Sequence, residues 1–473
     1  MDSLALDTET MRTIGHRTVD ALVDLLGDAN RPALRRASAS EMEARLPSAV
    51  PEAPTDFDTL LARLERDVLP YATNMGHPGY MAFVPSSGTF PAALGDFIAS
   101  ALNVYAGSWL EAAGPSRMEL VVLDWFKQWI GYPRAASGLL VSGGSAANAT
   151  AIACARAALL GPMDDRAVVY MGDQGHVSIE DAARLLGFRP ERVRVLPSDA
   201  SWRLPPRTVA AAIEADAASG LRPLLVAAAA GATNTGAIDP LADLAAVCRE
   251  HGVWLHVDAA YGGFAALSER GRRALAGLEL ADSVTVDPHK WLYQPIECGS
   301  LLVREPGLLE NAFASGAPYL ADGRASNGAV DFSDRGPQST RGFRALKVWL
   351  SISYFGPAAF RAAVDHALDL AELARERIAA DPALELLARG ELGIVCFRRR
   401  VEGGENEAAQ VNAALVAAFN AGGRGFVSST RLRDRYAVRL CPLNHASTAL
   451  DVEAVLDFFA GAPIAARGAA AVA

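Results

Sequence analysis

Lysine is almost missing from this chain: of 44 basic residues only Lys127, Lys290 and Lys347 are lysines. A chain that otherwise writes arginine has kept an amine at three places, and an amine, unlike a guanidinium, forms a Schiff base. Cysteine is sparse too. Cys154, Cys248, Cys298, Cys396 and Cys441 are an odd number at wide spacing, which excludes a disulfide framework or a spaced zinc ligand set. There is no excess of positive charge; a net charge of -10 argues against a nucleic-acid surface, which needs a basic patch. No run approaches the ~20 apolar residues of a membrane span. The opening residues Met1 to Asp7 are acidic and lack the basic-then-apolar order of a secretory signal, so the expected location is the cytoplasm.

What is present divides the chain. Its 473 residues exceed one core and predict two or three parts. Residues 1–85 read as a helical segment: Met11 to Leu26 has apolar residues at helical spacing, Pro47 to Pro54 breaks it, and Phe57 to Leu69 resumes it. Such a pair buries little alone. His77-Pro78-Gly79-Tyr80-Met81-Ala82-Phe83-Val84-Pro85-Ser86 follows, and it reads equally as a pocket lining or a buried connector. From Gly138 short apolar strands alternate with helices: Gly138 to Val141, Ala167 to Met171, Arg192 to Leu196, Pro223 to Ala230, Val253 to Val257, Ser283 to Val286 and Ser300 to Val303. That alternation predicts an α/β fold with a mostly parallel sheet, whose ligands bind beyond the strand carboxyl ends. After Gly356 come helix and strand pieces, including Leu392 to Arg400 and Tyr436 to Cys441, and an alanine-rich tail expected to fray. The expected parts are 1–85, 86–355 and 356–473.

The unusual residues gather just after the strands. Val141-Ser142-Gly143-Gly144-Ser145-Ala146 is a glycine turn into a helix, where backbone N–H groups and the helix dipole receive an anion. It is neither GxGxxG nor a Walker loop, so dinucleotides and nucleoside triphosphates are disfavoured. His176, in Asp173-Gln174-Gly175-His176-Val177-Ser178, is placed to stack on a flat ring, to transfer a proton, or simply to support the fold. The turn Gly231 to Pro240 offers the Thr233 hydroxyl, or merely turns. Asp258 ends an apolar strand, where a carboxylate needs a cation or donors. Lys290 follows in Thr285-Val286-Asp287-Pro288-His289-Lys290-Trp291. Phosphate cradle, stacking histidine, partner for a ring nitrogen and Schiff-base lysine, in that order, describe a pyridoxal 5'-phosphate site; no metal is expected.

Four strings, Asp287-Pro288-His289-Lys290-Trp291, His256-Val257-Asp258-Ala259-Ala260-Tyr261-Gly262-Gly263, Asp173 to Ser178, and Phe343-Arg344-Ala345-Leu346-Lys347-Val348-Trp349, together resemble the group II pyridoxal-phosphate amino-acid decarboxylases. The resemblance covers nearly the whole chain. It implies the type I aminotransferase fold, with a small C-terminal domain, and a homodimer whose subunits share the active site. By motif, Ser145 and Ala146 hold phosphate, and His176 stacks on the pyridine ring. Thr233 and Ala260 lie near the ring, Asp258 pairs with its nitrogen, and His289 precedes the attaching Lys290.

One position departs from the family. Counted back without gaps from Phe343, the loop tyrosine that helps protonate the carbanion in aromatic decarboxylases is Phe332 here. In plant relatives that replacement accompanies aromatic aldehyde synthesis, in which oxygen intercepts the carbanion. Otherwise Tyr319 or His176 supplies the proton. Tyr80, Phe83, Val84 and Trp109, with Phe332, are expected to line an apolar substrate pocket, which favours aromatic amino acids over glutamate. A simple decarboxylase is the expected activity. An aldehyde synthase, a glutamate-type decarboxylase, another lyase or aminotransferase-like activity, and a silent binding homologue are the alternatives.

Overall fold

The computed structural model describes residues 4–84, 86–161, 164–315 and 328–461. Its centre is a sheet of seven strands: β1 Ser137–Val141, β2 Ala167–Gly172, β3 Val193–Leu196, β4 Arg222–Ala229, β5 Trp254–Asp258, β6 Ser283–Val286 and β7 Gly299–Val303. Every strand expected from the apolar runs is present, shifted by at most a residue or two. The spatial order is β1-β7-β6-β5-β4-β2-β3. β1, β2, β6 and β7 are buried along their whole length, because helices cover the sheet and leave neither face to water.

One strand runs the other way. β7 is antiparallel to both β6 and β1, while β2 to β6 pair in parallel. Helices carry the chain between the parallel neighbours, but the link from β6 to β7 contains none among its elements, so the chain turns back. That link holds Lys290. The segments after β1, β2, β4, β5 and β6 therefore all emerge at one edge of the sheet.

A second, antiparallel sheet consists of β8 Leu384–Ala388, β9 Val395–Arg399, β10 Ser428–Leu432 and β11 Arg435–Leu440, in the order β10-β11-β9-β8. Phe397, Phe419, Val438, Leu440 and Phe459 form its own apolar core with the helices Glu405–Ala421 and Ala449–Gly461. The helix Ala345–Ala380 joins the two sheets and breaks at Gly356, whose φ of 74° and following Pro357 interrupt it. At the other end, the helix Thr8–Gly27 starts on an Asp7 cap and buries no residue. Met11, Leu22, Val23 and Leu26 on it, and Leu60 and Leu64 on the helix Phe57–Asp67, remain exposed. No helix among the described residues is long and apolar enough to cross a membrane.

Candidate active site

The strand ends enclose a cavity of about 290 Å³, near the lower end for ligand sites. Ser145, Ala146, His176, Thr233, Asp258, Ala260, His289 and Lys290 all line it, so residues far apart in the chain meet there. On one side the helix Gly144–Leu159 begins from the glycine turn. The backbone is packed tightly at this point: a Cβ on Gly144 would lie 2.9 Å from Ala260 Cβ, and one on Gly299 would lie 2.5 Å from Gly143 Cα. Only glycine lets β7 and the turn approach this closely. The Asp287 carboxylate closes the floor; its Oδ2 accepts from Gly144 N–H at 3.1 Å and lies 3.2 Å from Lys290 Nζ.

The opposite side is organised by Asn148, one turn into the same helix and buried. Its Nδ2 donates to Asp258 Oδ2 and to Ser178 Oγ, each at 2.9 Å. Its Oδ1 accepts from Thr285 Oγ1 at 2.8 Å and faces His256 Nε2 at 3.0 Å. All of its hydrogen-bonding capacity is used. Asp258 is also held through Oδ1 by Ala260 N–H, which aims a half-buried carboxylate into the cavity. The same pattern assigns two tautomers. His176 Nδ1 receives Ser178 N–H, with Ser178 Oγ at 2.7 Å, so its proton is on Nε2. His256 donates from Nε2 to Asn148 and faces Ser283 Oγ with Nδ1.

A second cavity, of about 390 Å³, shares His176 and Thr233 with the first and is walled by Phe83 and Val84. Arg439 from β11 reaches into it. Nε donates to Thr233 O at 2.9 Å and Nη1 to Phe83 O, while buried Nη2 has no partner. Arg439 is the one arginine or lysine on the described lining.

A profile for the pyridoxal-dependent decarboxylase conserved domain matches residues 40–400. The chain belongs to that decarboxylase family. The decarboxylase is 36% identical over 451 residues to an aromatic-L-amino-acid decarboxylase of Bacillus atrophaeus, covering 94% of each chain. It is 29% identical to a phenylacetaldehyde synthase of Petunia hybrida, over 92% of this chain and 90% of that one. Its fold superposes with a TM-score of 0.92 on the crystal structure of Oryza sativa TDC with PLP and tryptamine, at 28% identity, covering 97% of this chain and 98% of that one. The expected type I fold is therefore the fold of the decarboxylase, and its cofactor is pyridoxal phosphate. The cavity suits that group. Helix N–H donors, an aimed carboxylate and an amine surround one space, and Asp287 Oδ1 is buried in its floor with no hydrogen-bond partner.

Three expected pocket residues lie elsewhere in this chain. Phe332 is fully buried in the main core, its ring beneath the Arg341 and Arg335 guanidinia at 4.9 and 5.4 Å. A gapless count puts Phe332 in a loop, but Arg335 bonds Glu310 and Gly138 O, and Arg341 pairs with buried Glu119. Trp109 starts the helix Trp109–Ile130 and anchors that same segment through its N–H to Asp331. Tyr80 packs on Phe426 as a buried connector. Tyr319 lies outside the described residues.

Burial pushes His256 down to about 4, with the nearby Asp258 charge opposing. The folded value is below the unfolded one, so this contribution to stability is complete above pH ~6.5 and is lost as pH falls towards 4. Denaturant melts across that window should show a loss on the order of 1 to 3 kcal/mol, and His256→Gln should flatten it. An unchanged slope in the variant would assign the acid loss to other groups.

Proposed function

We propose that the decarboxylase converts an aromatic L-amino acid to its amine and carbon dioxide, with pyridoxal phosphate attached at Lys290. When bound, pyridoxal phosphate supplies a ring that accepts the electron pair left by the departing carbon dioxide. The observation that carries the reading is the meeting of Lys290, Asp258 and His176 in one cavity, which shares His176 and Thr233 with a second that Arg439 lines. Gly144, Ser145 and Ala146 hold the phosphate at the helix start. Asp258, fixed by Asn148, keeps a proton on the ring nitrogen. Thr233, Ala260 and His289 bound the ring. His176 covers it and presents Nε2–H as the donor for the final proton transfer.

Arg439 sets the substrate class. It is the one arginine or lysine on the described lining of the second cavity, so its guanidinium is the cation for one carboxylate, and the neighbouring Phe83 and Val84 favour an apolar side chain. Glutamate would leave its second carboxylate without a cation. Arg439→Ala should raise KM by ~10- to 100-fold, the scale of a charge-assisted hydrogen bond, with cofactor attachment retained. An unchanged KM would remove Arg439 from substrate binding. The activity is tested by offering phenylalanine, tyrosine, dopa, tryptophan and glutamate and measuring carbon dioxide, amine, aldehyde and peroxide together. Amine equal to carbon dioxide from an aromatic substrate is expected. Aldehyde with peroxide would instead assign the chemistry named for the petunia relative, and turnover of glutamate alone would overturn the substrate class.

We further infer a homodimer, because the apolar stripe of the N-terminal helices needs cover, and three parts, 1–85, 86–355 and 356–473, supported by the two cores and the break at Gly356. A cytoplasmic setting is in keeping with five free, buried cysteines.

A further inference from the structure

Phe83 takes a backbone conformation that its side chain disfavours. Its φ is 52°, in the left-handed region that bulky residues avoid. Burial of the ring does not hold it there, because the residue is 61% exposed and meets Phe426 only edge-on, at 5.8 Å. The main chain does. Phe83 N–H donates to Ser428 Oγ at 3.2 Å, and Phe83 O accepts from Arg439 Nη1. Ser428 and Arg439 stand opposite each other in the register of β10 and β11, and Ser428 Oγ donates to Arg439 O at 3.4 Å. One cross-strand pair of the small sheet thus grips both polar groups of a single strained residue. Such strain persists only where the surroundings fix it from more than one side.

The approach to Phe83 is laid down by the same sheet. Phe426 N–H donates to Gly79 O, Met81 N–H to Phe426 O and Cys441 N–H to Met81 O, each at 2.9 Å. Glycines let the two segments close up: a Cβ on Gly425 would lie 2.8 Å from Gly79 O. Residues 79–81 therefore follow the small sheet, and the left-handed turn at Phe83 comes just after them. An extended residue at that point would send its side chain in another direction. Phe83 lines the second cavity beside Val84, Ser428 and Arg439, so its φ decides where the aromatic wall of that cavity stands.

We propose that Ser428 is a positioning residue for the substrate side chain: its hydroxyl holds Phe83 in the left-handed conformation and so fixes the wall against which the ring of the amino acid packs. The proposal rests on the reading of the second cavity as the place of that side chain. Ser428 lines the second cavity and not the first, so it acts on the substrate through Phe83 and not on the cofactor. The cross-strand pair divides the work. The Arg439 guanidinium meets the carboxylate, and the Ser428 hydroxyl places the ring of Phe83.

The test measures KM and kcat of the holoenzyme for phenylalanine, tyrosine and tryptophan in the wild type, Ser428→Ala, Phe83→Gly and the double variant. Glycine adopts a left-handed φ without strain, so Phe83→Gly removes the ring and leaves the turn. Ser428→Ala should raise KM by ~3- to 10-fold, the scale of one hydrogen bond, the loss falling on KM rather than kcat. Pyridoxal phosphate should still be reducible onto Lys290. In the Phe83→Gly background the same change should add nothing, because the ring it positions is gone. Ser428→Thr keeps the hydroxyl and should restore the wild-type KM. Ser428→Cys keeps the size but offers only a weak acceptor, and it reads the same loss should Ser428→Ala fail to fold. Aromatic turnover with KM unmoved by Ser428→Ala would overturn the proposal alone. So would equal losses with and without the Phe83 ring, which would place the effect on Arg439. Wild-type turnover confined to amino acids without an aromatic ring would overturn the substrate reading beneath it.

Discussion

Lys290→Ala abolishes covalent retention of the cofactor. Borohydride reduction followed by peptide mapping should find the cofactor mass on the Lys290 peptide of the wild-type enzyme and nowhere in the variant, and decarboxylation should fall by at least ~10³-fold. Losing an attacking amine removes an entire covalent route rather than one contact within it, which is why the expected loss is this large. The other two lysines cannot substitute. Lys127 is buried on the helix Trp109–Ile130, donating to Arg134 O and Ala136 O, and Lys347 is tied to Asp96. A variant that still showed a reducible adduct of normal stoichiometry would place the attachment elsewhere and would undo the assignment of the cavity.

Asp258→Asn should keep the cofactor and lose rate by ~10²-fold or more, the scale of removing one preorganised electrostatic partner. The loss should fall on kcat rather than KM, because Asp258 lines the first cavity and not the one walled by Phe83 and Arg439. The substitution also disturbs the support: Asn148 now meets an amide in place of the carboxylate that accepts its Nδ2–H. Rapid kinetics should therefore show binding of the amino acid at a normal rate and slow release of carbon dioxide. Near-native kcat would mean that the ring nitrogen needs no carboxylate here.

Much of this was legible in the residues, for definable reasons. The seven strands are short apolar runs closed by polar turns, and a strand buried on both faces writes such a run without interruption. Lys290, Asp258 and His176 stand out because each is a polar group at the end of one of those runs. The reversal of β7 was not legible, since an apolar run carries no direction. Asn148 was hidden for a different reason: it sits among small residues at a helix start and looks like part of the glycine turn, and only its four partners from other strands and helices give it a role. Arg439 is a hundred and more residues beyond Lys290, on a different sheet, and one arginine in an arginine-rich chain sends no signal. Phe332 failed in the opposite direction. A count of residues gave it a place in a loop, whereas stacking under two arginines gives it a place in the core.

Carbon dioxide release from carboxyl-labelled phenylalanine, tyrosine and tryptophan tests most directly whether decarboxylation runs through a cofactor held on Lys290. The holoenzyme is assayed beside a sample whose cofactor has first been fixed to Lys290 by borohydride. Label should leave as carbon dioxide in step with amine from the holoenzyme, and the reduced enzyme should release none. Release that survives reduction, or transfer of the amino group with the label retained, would contradict the account.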